Sequence, residues 1–231
     1  MSNHKNIVVA VDGPAASGKS TVSKLVAREL GYNYVDSGAF YRGVTWKAVR
    51  ERVDVKNADA VIVLLQRMDL AITVEDHVVC FMIDGEDPGQ QIRSEPVRER
   101  VSDVAVIPEV RSFIVDRLRE TAAFGALVME GRDIGSVVFP EARFKFYLDA
   151  DPAERARRRH KELLETEGDS QMDEVLNSLQ RRDKKDSTRE TAPLQIALGA
   201  RVIDSTALSC EKVVEVISRE VKEGVAGDDE S

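Results

Sequence analysis

The 231-residue sequence has little of several things, and each scarcity closes off a class of protein. It holds two cysteines, Cys80 and Cys210, far apart and in no metal-ligand spacing. Two isolated thiols make no disulfide framework, and they read as small buried hydrophobes in a reducing compartment. Three histidines, His4, His77 and His160, form no cluster. No apolar run approaches the ~20 residues of a membrane-spanning helix. The opening MSNHKN also lacks the apolar core of a signal peptide. A soluble cytoplasmic protein is expected. Positive charge is outnumbered: 33 Lys and Arg against 41 Asp and Glu leave a net charge of −8, which argues against general nucleic-acid binding. There is no internal repeat and no low-complexity linker. What remains is 42% hydrophobic and 32% charged, enough for a sizeable core in one large domain over 1–231.

The most informative stretch is IVVAVDGPAASGKST, Ile7 to Thr21. Its apolar run Ile7–Val11 has no polar alternation, as in a parallel strand buried on both faces. Gly13-Pro14-Ala15-Ala16-Ser17-Gly18-Lys19-Ser20 fits G-x-x-x-x-G-K-[ST], and Thr21 continues into a helical pattern. Phosphate oxygens must meet several backbone N–H groups at once, so the loop curls into a nest that Gly13 and Gly18 permit. The helix N-terminus adds attraction for the anion. Lys19 is expected to reach the β- and γ-phosphates of a nucleotide, and the Ser20 hydroxyl to face Mg²⁺.

Helical periodicity then runs from Ser20 to Leu30 and stops at Gly31. A strand at Tyr32–Val35 ends at Asp36, and helices are predicted over Gly38–Arg52 and Ala58–Met68, the latter capped by Asn57 or Asp59. Leu70–Val74 and Val78–Ile83 read as a hairpin about Glu75-Asp76-His77. Helices over Ile92–Val106 and Pro108–Phe124 follow, and 58–108 is read as a small inserted α/β subdomain. Strands return at Leu127–Glu130, Phe144–Leu148 and Val202–Ile203. A very basic helix spans Pro152–Glu165, an acidic loop Glu165–Asp173, and a second basic helix ends near Thr188. Cys210–Lys222 is the closing helix, and 224–231 a polar tail expected to be disordered. Alternating strands and helices imply an α/β fold of P-loop type with a doubly wound parallel sheet, whose ligands sit at the strands' C-terminal ends.

Three clusters fall at such ends. In Asp36-Ser37-Gly38-Ala39-Phe40-Tyr41-Arg42, the local reading makes Ser37 a helix cap and Arg42 a solvated residue; the alternative aims both at the phosphate loop. Glu130-Gly131-Arg132-Asp133 is either a tight turn with a local ion pair or a Walker-B-type carboxylate near the Mg²⁺ shell followed by two cleft residues. The third is the basic helix pair, with Arg155, Arg157, Arg158 and Arg159 in ERARRRHKE and Arg181, Arg182, Asp186 and Arg189 in QRRDKKDSTRE. A salt-bridged solvated hairpin is the usual reading of such charge. Beside a P-loop, arginines that neutralise a transferring phosphoryl group become the better one. Spacings of four and three put Arg182, Asp186 and Arg189 on one helical face.

Taken in order, DGPAASGKST, DSGAFYRG, IRSEPVRERVSDVAVIPEVR, EGRDIGSVVFP, FYLDADPAERARRR, RRDKKDSTRETAPL and VIDST resemble the bacterial-type cytidylate kinases, nucleoside monophosphate kinases of the P-loop class. The resemblance covers nearly the whole length. It implies transfer of the ATP γ-phosphoryl to CMP or dCMP in pyrimidine nucleotide metabolism, with Mg²⁺, by a monomer that contacts neither nucleic acid nor membrane. It implies that 58–108 is the monophosphate-binding insert and 152–190 an arginine-rich lid. Gly13 to Thr21 would hold ATP, with Ser20 and, in the outer shell, Glu130 serving the metal. Ser37, Arg42, Arg132 and Arg189 would hold the acceptor's phosphate, and Tyr41 would pack beside the nucleotide. Ser102, Arg111 and Asp133 would address cytosine, and Asp186 and Arg182 the ribose and phosphates. Lys19, Arg132, Arg158 and Arg182 would carry the charge neutralisation that is catalysis here. Which of the arginines at 155–159 faces ATP stays open, as do a P-loop kinase for another small acceptor and a non-enzymatic nucleotide switch.

Overall fold

The computed structural model describes residues 7–229; the MSNHKN segment with His4, and the last two positions of the tail, lie outside it. Seven strands form one sheet in the order β3-β4-β2-β5-β1-β6-β7. Three strands make its centre: β1 (Val8–Asp12), β2 (Asn33–Asp36) and β5 (Leu127–Gly131). β1 lies between β5 and β6 (Phe144–Asp149), all parallel, and β7 (Arg201–Asp204) closes that side. The apolar run of β1 is buried at every position, as expected for a strand covered on both faces. Helices α1 (Lys19–Leu30) and α8 (Cys210–Asp229) pack on one face with Val9, Val11, Val128, Phe146 and Ile217. Helices α2 (Ser37–Arg50), α3 (Ala58–Arg67), α4 (Glu95–Val104) and α5 (Pro108–Glu120) share a core with the other face.

The hairpin β3 (Leu70–Glu75) and β4 (Val78–Ile83) is antiparallel and does not stand apart. β4 joins the main sheet beside β2 through Tyr34 and Val78, so the parallel sheet acquires one antiparallel edge strand. A lone two-stranded ribbon is marginal in water, and the open edge of β2 supplies the missing partner. Phe81 of β4 meets Phe40 of α2 at a centroid distance of 4.9 Å, and both rings are buried. Burying such a ring is worth roughly 1.5–3 kcal/mol, which welds the hairpin to the domain.

Several boundaries differ from expectation. The Ile92–Val106 segment divides into a 3₁₀ turn at Gly89–Arg93 and α4, with Pro96 in the helix's first turn. The basic helix α6 (Pro152–Glu167) runs into the acidic stretch, so the link to α7 (Met172–Thr188) is four residues, 168–171. The closing helix continues through most of the expected tail to Asp229. Its Gly224 is no breaker: a Cβ there would sit 2.7 Å from the Phe144 ring, so glycine lets the helix ride close over β6. Cys80 and Cys210 are free and only half-buried rather than core residues. Among the described residues no helix is long and apolar enough to cross a membrane.

Candidate functional site

Strands β1, β2, β5 and β6 all point their C-terminal ends at one cleft, and β1, β2 and β5 bring carboxylates there. β1 ends at Asp12, and the chain turns through the loop into α1. Gly13 has φ +147°, and a Cβ built on it would collide with the Leu148 carbonyl oxygen of β6, so only glycine fits where the loop passes that strand. Lys19 is buried, and its Nζ donates to the Pro14 carbonyl oxygen at 2.6 Å and to Ser17 Oγ at 3.3 Å. Burial, then the nearby Arg132, pushes the Lys19 amine down to about 7, against the pull of Glu130 and Asp12. Ser20 and Thr21 are exposed on the first turn of α1.

Asp36 and Glu130 sit side by side in the register of β2 and β5. Glu130 accepts a hydrogen bond from the Tyr34 hydroxyl at 2.6 Å, and Ser20 also bonds to its carboxylate. Burial and then Asp36 raise the Glu130 pKa, while Lys19 and the bonds from Ser20 and Tyr34 hold it down. A serine hydroxyl and a carboxylate in contact are hard oxygen donors of the kind that Mg²⁺ takes. No group of three or more His, Cys, Asp or Glu able to hold a metal occurs among the described residues. That donor set suits an ion coordinated mainly by nucleotide phosphates and water, with one or two protein oxygens. Ser37 does not act as the helix cap: it donates to the Glu130 carbonyl oxygen at 2.7 Å, and Asp36 caps α2 by accepting from the Ala39 amide at 3.0 Å. Arg42 reaches Asp36 at 2.6 Å, with Arg93 behind it at 3.3 Å. Burial opposes the Asp36 charge, but Arg42 and Arg93 outweigh it and its pKa falls.

Beyond Glu130 the chain presents Arg132 and Asp133. Arg132 Nε donates to Asp186 of α7 at 2.9 Å. Asp133 is buried and forms a hydrogen-bonded pair with the equally buried Arg111 of α5. The Arg111 guanidinium lies 5.5 Å from the centroid of the Tyr41 ring, a cation–π distance. Arg189 completes the group, 3.8 Å from Asp133 and 3.9 Å from Asp186. One Arg189 guanidinium nitrogen and Arg111 Nε are buried without hydrogen-bond partners, donors to spare in an enclosed polar site. Arg182 shares the site: burial, then Arg132, lowers it to about 10, and Arg159 and Arg42 act on it too. The face of α7 carrying Arg182 and Asp186 thus turns inward; Arg189 does not continue that face but follows the last helical residue in extended backbone, from where it reaches the same group. Ser102 lies half-buried on α4 beside Asp103, which takes the Lys185 ammonium of α7 at 2.6 Å.

Of the four arginines on α6, two address the phosphate loop. Arg155 is buried and donates to the Ala15 carbonyl oxygen at 3.2 Å, to the Ala150 carbonyl oxygen at 3.1 Å and to Asp183 at 2.6 Å. Arg158 donates to the Ser17 carbonyl oxygen at 3.4 Å and to the Ser205 carbonyl oxygen at 2.6 Å. Arg157 and Arg159 instead pair along the helix with Glu154 and Glu162. Ala15 packs with Ala156, Val175 and Leu179, so α6 and α7 rest on the loop through apolar as well as charged contacts.

Sequence reasoning missed three supports. Asp12 is the carboxylate that ends an otherwise apolar strand, a position where a polar residue draws no notice. Tyr34 shares a strand face with Asp36 at period two, beside Glu130. Ser205, in the VIDST stretch, accepts from Arg158 and donates to the Ser17 carbonyl oxygen at 3.1 Å.

A glycine-bounded phosphate loop between a buried central strand and a helix, with a carboxylate at the end of the adjacent strand, defines a P-loop nucleotide-binding protein of kinase type. The chain belongs to the cytidylate kinase family, whose family model matches residues 9–223. It is 40% identical to the cytidylate kinase of Caldanaerobacter subterraneus subsp. tengcongensis, over 96% of this chain and 97% of that protein. It is 43% identical to those of Clostridioides difficile, over 92% and 96%, and Geobacillus kaustophilus, over 96% and 99%.

Proposed function

We propose that the protein transfers the γ-phosphoryl group of ATP to CMP or dCMP, giving ADP and CDP or dCDP in pyrimidine nucleotide metabolism. The observation that carries the reading is the buried Arg111–Asp133 pair beside Tyr41, at the same end of the sheet as the phosphate loop. Cytosine offers an exocyclic NH₂ donor flanked by the N3 and O2 acceptors. Asp133 can accept from the first and Arg111 can donate to the others, each exchanging part of its bond to the other for one to the base. Uracil reverses donor and acceptor at two of these positions and would leave buried polar groups unpaired.

Gly13 to Thr21 would bind the donor's phosphates, with Lys19 swinging from Pro14 to the β- and γ-oxygens. Ser20 and, through water, Glu130 would hold Mg²⁺, which when bound neutralises phosphate charge. Ser37, Arg42, Arg132 and Arg189 would fix the acceptor phosphate, Asp186 and Arg182 the ribose and phosphates, and Ser102 the base edge. The acceptor oxygen is already anionic, so no general base or covalent intermediate is needed; positioning and charge neutralisation by Lys19, Arg132, Arg158 and Arg182 suffice. In this reading 58–108 clamps the acceptor, and 152–190 closes as a lid that keeps water from competing. The enzyme acts as a cytoplasmic monomer, in keeping with its free thiols. Asp133→Ala tests the base assignment: the CMP-over-UMP ratio of kcat/KM should fall at least tenfold, and an unchanged ratio would remove Asp133 from base recognition.

A further inference from the structure

One buried carboxylate at the cleft takes no part in the mechanism above. Asp12 ends β1 and precedes the phosphate loop, and this carboxylate is as fully covered as the apolar run before it. Its two oxygens accept from two successive amides, Ile134 N–H at 2.9 Å and Gly135 N–H at 2.8 Å. Those amides open the π-helical turn Ile134–Val138, which starts immediately after Asp133. The first N–H groups of a helical turn have no partner within it, and a carboxylate is the strongest acceptor that can be offered to them.

The backbone of Asp12 meanwhile pairs in register with Gly131 of β5. A single residue therefore holds the chain on both sides of the Arg132–Asp133 dipeptide: at Gly131 through the sheet, and at Ile134 and Gly135 through its side chain. Arg132 and Asp133 themselves make contacts through their side chains, to Asp186 on one side and to Arg111 on the other. The direction of those side chains is set by the main chain that Asp12 fixes. Because Gly13 follows directly, the same residue also sets the distance from this dipeptide to the phosphate loop. An apolar residue would fill the space with less desolvation cost but would leave two amides unpaired.

We propose that Asp12 is a positioning residue for the acceptor site: by clamping the turn after Asp133 it aims Arg132 at the acceptor phosphate and Asp133 at the base, in register with the phosphate loop. The proposal rests on the acceptor-site reading given above, so the test runs beside Asp133→Ala. Asp12→Asn keeps the shape and one carbonyl acceptor but turns an NH₂ toward one of the two amides. Leaving one buried amide without its acceptor costs about ten- to a hundredfold. The increase is expected in KM for CMP, with KM for ATP within about threefold. The CMP-over-UMP ratio should fall in the same sense as in Asp133→Ala. A merely structural role would lower thermal stability and the amount of active enzyme but leave that ratio and the KM values intact. If Asp12→Asn does not fold, the same quantities are read on Asp12→Ser, which can satisfy one amide. A silent Asp12 variant beside a responsive Asp133→Ala overturns this proposal alone, as does an equal rise of both KM values. If Asp133→Ala also leaves the base ratio unchanged, the acceptor-site reading falls and the proposal falls with it.

Discussion

The Lys19 ammonium lies folded back on its own loop, 2.6 Å from the carbonyl oxygen of Pro14, and is buried there. Its amine titrates at about 7 because burial and Arg132 disfavour the charge more than Glu130 and Asp12 favour it. Polyphosphate oxygens arriving at the loop favour the charged form and raise that value. Between the free and bound values the protein takes up a proton when ATP binds, so affinity weakens as pH rises above about 7, by at most about tenfold per pH unit. Calorimetry at pH 8 in two buffers of different ionisation enthalpy should read an uptake approaching one proton. Lys19→Ala should abolish both the uptake and nearly all turnover while leaving CMP binding intact. The same uptake in that variant would assign the proton to another group.

Tyr34 holds Glu130 by a 2.6 Å hydrogen bond from beneath the cleft. Tyr34→Phe removes one of the bonds that hold down the Glu130 pKa, so the carboxylate becomes easier to protonate and less firmly aimed. A loss of about tenfold in kcat is expected, as for other partners that orient metal-serving groups. The Mg²⁺ concentration giving half-maximal rate should rise and KM for CMP should stay put. An unmoved Mg²⁺ midpoint would remove Glu130 from the metal's surroundings.

Lys185 of α7 meets Asp103 of α4 at 2.6 Å, one residue from Ser102, so the arginine-rich pair is tied to the 58–108 region by a contact outside the cluster. The side chains are 48% and 30% exposed, and pairs of that kind couple by up to about 1 kcal/mol. Lys185→Ala and Asp103→Ala should each raise KM for CMP no more than about fivefold, with a non-additive double variant. Full additivity would show that the pair does not contribute to closure. The effect should shrink in high salt.

Much of this was legible in the chain because local rules and global fold agreed. The β1–loop–α1 unit and the hairpin follow from periodicity and turn chemistry, whereas the inward turn of Arg182 and Asp186 is legible only beside the phosphate loop, and Arg189 lies past the end of the helix that the spacing put it on. Where tertiary contact decided, the sequence was mute. The pattern ends the closing helix at Lys222, and nothing local shows that it continues past Gly224 over the Phe144 ring. Arg155 and Arg158 differ from Arg157 and Arg159 only in which way the helix faces, and that depends on Ala156 packing on Ala15. Asp12 passes as the polar end of a strand, since its partners, Ile134 and Gly135, lie more than a hundred residues away.

A cleft built in this way phosphorylates cytidine monophosphates and discriminates against the other bases. The most direct test is ADP release from ATP and Mg²⁺ with CMP, dCMP, UMP, AMP and GMP offered singly. Rapid turnover with CMP and dCMP, and at least tenfold lower kcat/KM with the other three, is the predicted result. Preference for another monophosphate would contradict the base assignment, and nucleotide binding without transfer to any of the five would contradict the phosphotransferase itself.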